Sequence, residues 1–465
     1  MERRYVVRKE QMLAECEVAP EVFAEWKTRL AEFTEPFADL LGHEKQQGHV
    51  GSYLAGLLSR VERKNVESIA YERDEDRNKL QHFIGKAEWA DVPLRGELAR
   101  QVGAELGEPD GVLVFDPSGF AKKGCQSVGV ARQWCGRLGK VENCQVGVYL
   151  AYVGRREHTL VDVRLYLPEE WTKDRPRLKR AGVPKHVRFA TRHALALQML
   201  KEHGAVLPHG WITGDDEMGR SSAFRRELRA LKENYLLMVP SNTTIRDLDA
   251  PPPEYSGHGR RPKRAFERVD RWTAALPVEA WTKIDVRDGT KGPLVVEVVK
   301  SRVLARTERA HTSDEESLVV FRTAQDDGSW KYDYSLAHAS LDASLTEFAR
   351  VFNAEHRVEE CIKRGKSETG LGHYEVRGWR GWQHHQTLSL IASWFLVKET
   401  LRGKKIHTGA DSAPSSRRHS TTACRRVQPE RSSVHKSLCS TSPTPKHIGR
   451  ILPLETPQTL VAVTS

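Results

Sequence analysis

No apolar run in this chain is long enough to cross a bilayer: the longest, residues 388–397, falls well short of the roughly 20 residues that a spanning helix needs. The opening MERRYVVRKEQ lacks the apolar core of a secretory signal, so no membrane role is expected. Cysteines are few and badly spaced for metal. The seven (Cys16, Cys125, Cys135, Cys144, Cys361, Cys424 and Cys439) include no pair at zinc-knuckle spacing, and their odd number suits a reducing cytoplasm better than a disulfide framework. A strong excess of one charge is also missing from the body. The net charge is +11, but from Arg402 onward there are 11 Lys/Arg against 3 Asp/Glu, so eight of the eleven surplus charges sit in the tail. Basicity by itself therefore does not establish a nucleic-acid partner. What is present is ample core material: 39% of the 465 residues are hydrophobic, and that length predicts one main unit with one or two helper regions.

Along the chain, residues 1–106 read as a helical region. Its clearest segment puts Trp26, Leu30, Phe33, Phe37 and Leu40 on one stripe at three- and four-residue steps, and further helices are expected around 50–62, 76–85 and 94–106. At Gly111 the texture changes. Val112-Leu113-Val114-Phe115 is a short β run, closed by the turn-forming Asp116-Pro117-Ser118-Gly119. Strand patterns at 144–153 and 159–167 follow and suggest an antiparallel meander. Then come a helix near 188–203, the strand Trp211-Ile212-Thr213-Gly214, a helix near 221–233 and the strand 235–239. That order predicts an α/β fold over 107–240 with a mixed sheet covered by helices. Residues 241–335 lose helical periodicity and carry β runs at 294–299 and 318–322, which reads as a β-rich insertion. Helical pattern returns over 336–401, in segments near 343–366 and 383–401. The tail 402–465 is basic, Ser/Thr-rich and aperiodic, a composition that predicts disorder; its abrupt onset after LRGKK raises the separate idea of an out-of-frame extension.

Three acids stand on separate elements. Asp116 closes the first strand, Asp215 follows the strand 211–214, and Glu359 lies on a helix whose apolar side is Val351, Phe352, Val358 and Ile362. Taken singly, an acid at a strand end reads as a turn or helix cap. Taken together, the three are what two-metal phosphoryl transfer requires: carboxylates converging on two divalent ions about 4 Å apart. Magnesium, a hard ion with a preference for oxygen ligands, suits such a set, and manganese can replace it. Asp216 and Glu360 are the neighbouring alternatives. His384 and His385 diverge by about 100° on a helix and cannot easily share an ion, so they read as packing or DNA-backbone contacts. Arg260-Arg261-Pro262-Lys263-Arg264 is a candidate phosphate contact, against the plainer reading of a solvated basic loop.

The ordered series of motifs resembles the DDE transposases of bacterial insertion sequences. It runs from Gly56-Leu57-Leu58-Ser59 and Arg63-Lys64-Asn65-Val66-Glu67, through Phe115-Asp116-Pro117-Ser118-Gly119-Phe120, Lys122-Lys123-Gly124 and 127–133, to Gly139-Lys140 with 143–148. Leu165-Tyr166-Leu167-Pro168 with Trp171 and Asp174-Arg175 continues it, then Thr213-Gly214-Asp215-Asp216-Glu217-Met218-Gly219-Arg220, and finally Gly370-Leu371 with 374–377. The resemblance implies a ribonuclease-H-like catalytic core, with Asp116, Asp215 and Glu359 as catalytic, metal-binding acids. It also implies a Tyr, Arg, Glu, Lys signature helix. Here Glu359 and Lys366 match the last two members, whereas Phe352 and Glu355 stand at the first two positions; Arg357 is the candidate substitute for the missing arginine as a DNA contact, and Lys366 the candidate phosphate clamp. Further implied are two Mg2+ ions, DNA as partner (terminal inverted repeats and target DNA), a homodimer in the synaptic complex, and a bacterial, nucleoid-associated location. The alternatives are a structure-specific nuclease without strand transfer and a non-catalytic DNA-binding derivative. The region 1–106 is a candidate for DNA-end recognition, beside the plainer reading of simple packing.

Overall fold

In the computed structural model, the described residues are 24–408 apart from 261, 290–291, 308–311 and 341–342. The tail from 409 on, where disorder is expected, lies outside them, as do residues 1–23.

Helices α1 (Trp26–Ala38), α2 (Glu44–Leu58), α3 (Val66–Glu72), α4 (Arg77–Gly85) and α5 (Asp91–Leu106) come first. The expected stripe forms: Leu30, Phe33 and Phe37 are buried, while Leu40 falls beyond the helix end and is exposed. Asn65 caps α3 by accepting from Ser68 N, and Asp76 does the same for α4. The motif around Lys64 has a structural reason. Its buried ammonium donates to the carbonyls of Leu57, Ser59 and Glu368, satisfying the ends of two helices distant in sequence.

The strands are β1 (Val112–Ala121), β2 (Ala131–Cys135), β3 (Lys140–Val153), β4 (His158–Leu165), β5 (Trp211–Gly214), β6 (Tyr235–Val239), β7 (Thr244–Asp247), β8 (Glu267–Arg268), β9 (Thr282–Gly289), β10 (Gly292–Arg306), β11 (Glu315–Ala324) and β12 (Trp330–His338). The remaining helices are α6 (Glu169–Lys173), α7 (Arg175–Arg180), α8 (Arg192–His203), α9 (Asp216–Arg220), α10 (Ser222–Ala230), α11 (Val269–Ala274), α12 (Leu345–Glu368) and α13 (Trp379–Thr408). β3 pairs antiparallel with both β1 and β4, while β1, β5 and β6 run parallel. The spatial order β4-β3-β1-β5-β6 is the mixed, ribonuclease-H-like sheet that the resemblance implied.

One expectation is corrected. The turn at 116–119 is absent: β1 runs through Asp116-Pro117-Ser118-Gly119 in unbroken register with β3, from Val112↔Val153 to Ala121↔Cys144. Proline is tolerated because β1 pairs with β5 only as far as Phe115, so beyond that point one side of the strand has no ladder to disrupt. The β-rich segment expected over 241–335 is present. β12 pairs antiparallel with β6, and β11, β10 and β7 follow, so the same sheet extends outward. A second apolar cluster, including Trp272, Val303, Leu318, Val320 and Tyr334, supports that extension. The fully buried pair of Arg225 on α10 and Glu316 on β11, at 2.8 Å, fastens it to the first half.

α12 packs across β1, β3, β4, β5, β9 and β10 through Phe348, Val351, Phe352, Val358 and Ile362. α13 is all but encased from 382 to 392. His384 lies between the carbonyls of Ile84 and Trp89 and stacks on the Trp89 ring at 3.5 Å; His385 joins Tyr53 Oη and Gly370 O. Their role as packing therefore holds, and burial keeps both from a DNA backbone.

Candidate active site

β1 and β5 are parallel neighbours whose last shared pair is Phe115↔Gly214. One step further along both strands come Asp116 and Asp215, so the register sets the two acids side by side where the parallel ladder ends, about 4.8 Å apart in backbone. That crevice is the recurrent ligand position of open parallel sheets. The third contribution comes from α12, which crosses this end of the sheet. Glu355 and Glu359, one helical turn apart, lie on one face of it.

The charges of these side chains act on one another. Burial, then the neighbouring Glu359, raises the Asp116 carboxyl to about 6, with Lys366 acting the other way. Asp215 is raised well above the ordinary carboxylate range by burial and then by Asp116, although it accepts a hydrogen bond from Met218 N as the cap of α9. Glu355 is raised to about 7 by burial, then by Glu359 and Asp116. Among the described residues, no arginine forms an ion pair with any of these four acids.

The neighbours are occupied elsewhere. Asp216 is exposed and pairs with Arg220 at 3.1 Å; Glu217 is held by Arg192 at 2.6 Å. Glu360 lies 3.5 Å from His158, whose imidazole holds its carboxyl down at about 2. Arg357 faces that same side, 3.4 Å from Glu360. Two residues on a helix subtend about 200°, so Arg357 turns away from Glu355 and Glu359, and the structure does not bring it to the acids. Lys366 does approach: its Nζ is 3.1 Å from Ser118 Oγ and 4.7 Å from the Phe120 ring, both on β1 just past Asp116. Phe352 stacks on Phe321 of β11 at 4.2 Å, a packing role that needs no tyrosine hydroxyl. Glu355, noted in the sequence only as a departure, is the acid that sequence reasoning missed. Its four-residue spacing from Glu359 was the available signal.

Carboxylates that raise one another's proton affinity, as at Asp116, Asp215 and Glu355, with no arginine ion-paired to them among the described residues, have the chemistry of a hard divalent-cation site, and oxygen is the donor such ions take. Asp116, Asp215, Glu355 and Glu359 fit that group. Asp162, Glu202 and His203, whose ligand atoms lie within 4.8 Å of one another, do not. Burial alone would raise Asp162, but Arg95 at 3.2 Å, Arg164 at 2.9 Å and His203 at 2.9 Å hold it at about 2. Two guanidiniums already fill the role of the cation.

The mixed sheet, with two acids where its parallel ladder ends, is of the ribonuclease-H type. Residues 36–293 match the family described as DDE superfamily endonuclease, and the chain belongs to that family. The matched stretch contains Asp116 and Asp215 and ends before Glu359. Among solved structures, a cryo-EM structure of a piggyBac transposase synaptic complex with hairpin DNA is similar at 11% identity, over 84% of this chain and 75% of that one, with a TM-score of 0.38. So distant a likeness assigns no residue. No curated protein matches the chain. Among the described residues, no helix is long and apolar enough to cross a membrane.

Proposed function

We propose that this DDE superfamily endonuclease is a DNA transposase that cleaves at the ends of a mobile element and joins the freed 3′ ends to target DNA at one site. The observation that carries this reading is the parallel register that sets Asp116 beside Asp215 under the Glu355–Glu359 face of α12, all four without an arginine partner. Asp116, Asp215 and Glu359 hold the metal, with Glu355 as an added carboxylate. Two Mg2+ ions, or Mn2+, bound there supply a clamp for the attacking and leaving oxygens of an in-line displacement. Lys366 is placed to donate to a phosphate oxygen of the strand being cut, since its ammonium already reaches the hydroxyl of Ser118 two residues beyond Asp116. Phe120, buried on the same face of β1 as Asp116, limits water on that side of the reacting phosphate.

In this reading residues 107–240 and 336–401 form the catalytic core, 241–335 an insertion that prolongs its sheet, and 1–106 a region for DNA-end recognition. Terminal inverted repeats and target DNA are the substrates, and a homodimer is the synaptic form. The test is cleavage of supercoiled plasmid carrying the element ends, with magnesium, by the wild-type chain and by Asp116→Asn. Nicked and joined products from the wild type alone support the proposal. Undiminished cutting by the variant overturns the site, and cutting without joined products favours a nuclease that lacks strand transfer.

A further inference from the structure

Beyond the acids, the molecule carries a second feature that the proposed reaction does not use. An open cleft of about 560 Å3 lies between α6, α7, the loop after β1 and the segment before α13. Its charged lining is Arg177, Arg180 and Arg377 against the single carboxylate of Asp174, which is engaged in capping α7 through Arg177 N. Arg177 is held in place: its guanidinium lies 3.7 Å over the Trp171 ring and donates to Cys125 O. The Trp171 indole in turn donates to Val130 O. Arg180 and Arg377 are exposed, and among the described residues neither side chain has a hydrogen-bond or ion-pair partner. Three guanidiniums gathered on one concave wall repel one another unless an anion joins them, and planar guanidinium matches phosphate oxygens best.

β1 connects this cleft to the acids. Past Asp116 come Ser118 and Phe120, both against Lys366, then Lys122 with its ammonium 3.5 Å over the Tyr374 ring, then Cys125 and Gln126 in the cleft wall. At about 3.3 Å per residue, Ala121 lies roughly 17 Å along the strand from Asp116, and about five nucleotide steps of duplex cover that length. We propose that this cleft binds a backbone phosphate of the substrate DNA several nucleotides from the one being cut, with Arg180 and Arg377 as its direct contacts and Arg177 as the fixed base of the cleft. The proposal rests on the DNA-cleaving reading above.

The test uses the full chain, a labelled 40-base-pair duplex and chelator in place of metal, so that binding is read without cleavage. Each phosphate contact contributes roughly −0.9 to the slope of log affinity against log salt. The double variant Arg180→Ala/Arg377→Ala is expected to bind about ten-fold or more weakly near 0.1 M salt, with a slope shallower by about one. Methylphosphonate scanning of the duplex should find one position that weakens the wild type and leaves the variant indifferent. Both arginines are exposed, so an unchanged thermal midpoint separates lost contact from lost fold. If the variant follows the wild-type slope, or no single phosphate matters, the cleft assignment falls while the DNA-cleaving reading stands. Loss of labelled ATP binding with an unchanged DNA slope would reassign the cleft to a free nucleotide. A wild type that binds no duplex at any salt overturns both readings.

Discussion

Asp162 on β4 is fully buried and Asp116 on β1 half-buried within one sheet, and the protein treats them oppositely. Around Asp162 stand Arg95, Arg164 and His203, and its carboxyl is held at about 2. Around Asp116 stand Asp215, Glu355 and Glu359, with Lys366 acting on Asp116 and Lys331 on Glu355 as opposing cations, and the Asp116 carboxyl is raised to about 6. The first is a charge network closed on itself. Arg95 also reaches Asp91 at 2.6 Å, Val163 O and Gln383, so it ties α5, β4 and α13 together. The second has negative charge that lysines oppose only in part and, among the described residues, no arginine ion pair answers. Proximity of potential ligands therefore does not mark a metal site; whether guanidinium has already neutralised the carboxylates does. A buried group left unfavourable in the free protein is one whose partner comes from outside.

The largest expected effect is on activity at the open cluster. Asp116→Asn should lower plasmid cleavage by about a thousand-fold or more, in line with the loss of a principal charge-stabilising group, while the metal-free protein becomes no less stable at pH 8. The sign follows from the raised carboxyl. Because its folded value lies above its ordinary one, Asp116 favours the folded state fully at low pH, and that advantage is lost as pH rises through about 6. Thermal midpoints of the metal-free wild type should thus fall across that window and be restored by Mn2+ at pH 8 but not at pH 4.5. Restoration that is equal at both pH values would contradict the open-cluster description.

The closed cluster should respond in the other currency, stability. Removing one partner of a buried ion network leaves uncompensated charge, so Asp162→Ala should cost about 3–5 kcal/mol in denaturant unfolding. Divalent-ion binding by the folded variant should be unchanged. Its pH signature is reversed as well: the contribution of Asp162 is complete above about 4 and is lost as pH falls toward about 2. An Asp162→Ala protein of wild-type stability with weakened metal binding would invert the comparison.

How far this contrast could be read from the sequence depends on distance along the chain. Strands β5 and β6 and the stripe of α1 are local patterns, and the apolar runs and three-residue steps locate them closely. The first-acid block misleads because Asp-Pro-Ser-Gly has the composition of a turn, and only the unbroken pairing with β3 overrides it. That β12 would dock on β6 is a pairing across nearly a hundred residues, for which no local signal exists. Asp116 and Asp215 stand out as acids after apolar strands, but their adjacency is a matter of parallel register. The fate of Asp162 was hidden more completely, since it depends on Arg95 from a helix some seventy residues earlier.

Smaller effects probe the edge of the open cluster. Glu355→Gln removes one carboxylate but keeps the side chain's volume, and a supporting ligand of this kind is worth about 10- to 100-fold in metal affinity. The loss should appear as a higher Mn2+ requirement for cleavage, with activity recovered at saturating ion. At the far end stands Asp216, next in sequence to Asp215 but exposed and paired only with Arg220 four residues on. Such a surface pair contributes about 0.3–0.5 kcal/mol, so Asp216→Ala should leave stability within that margin and cleavage within about two-fold. A neighbour one peptide bond away from Asp215 should thus be nearly silent, because the strand aims one carboxylate at the other acids and the first turn of α9 carries the next one to the surface. Collapse of activity in Asp216→Ala, with Asp215→Ala little affected, would move the second ligand by one residue and break the register on which the comparison is built.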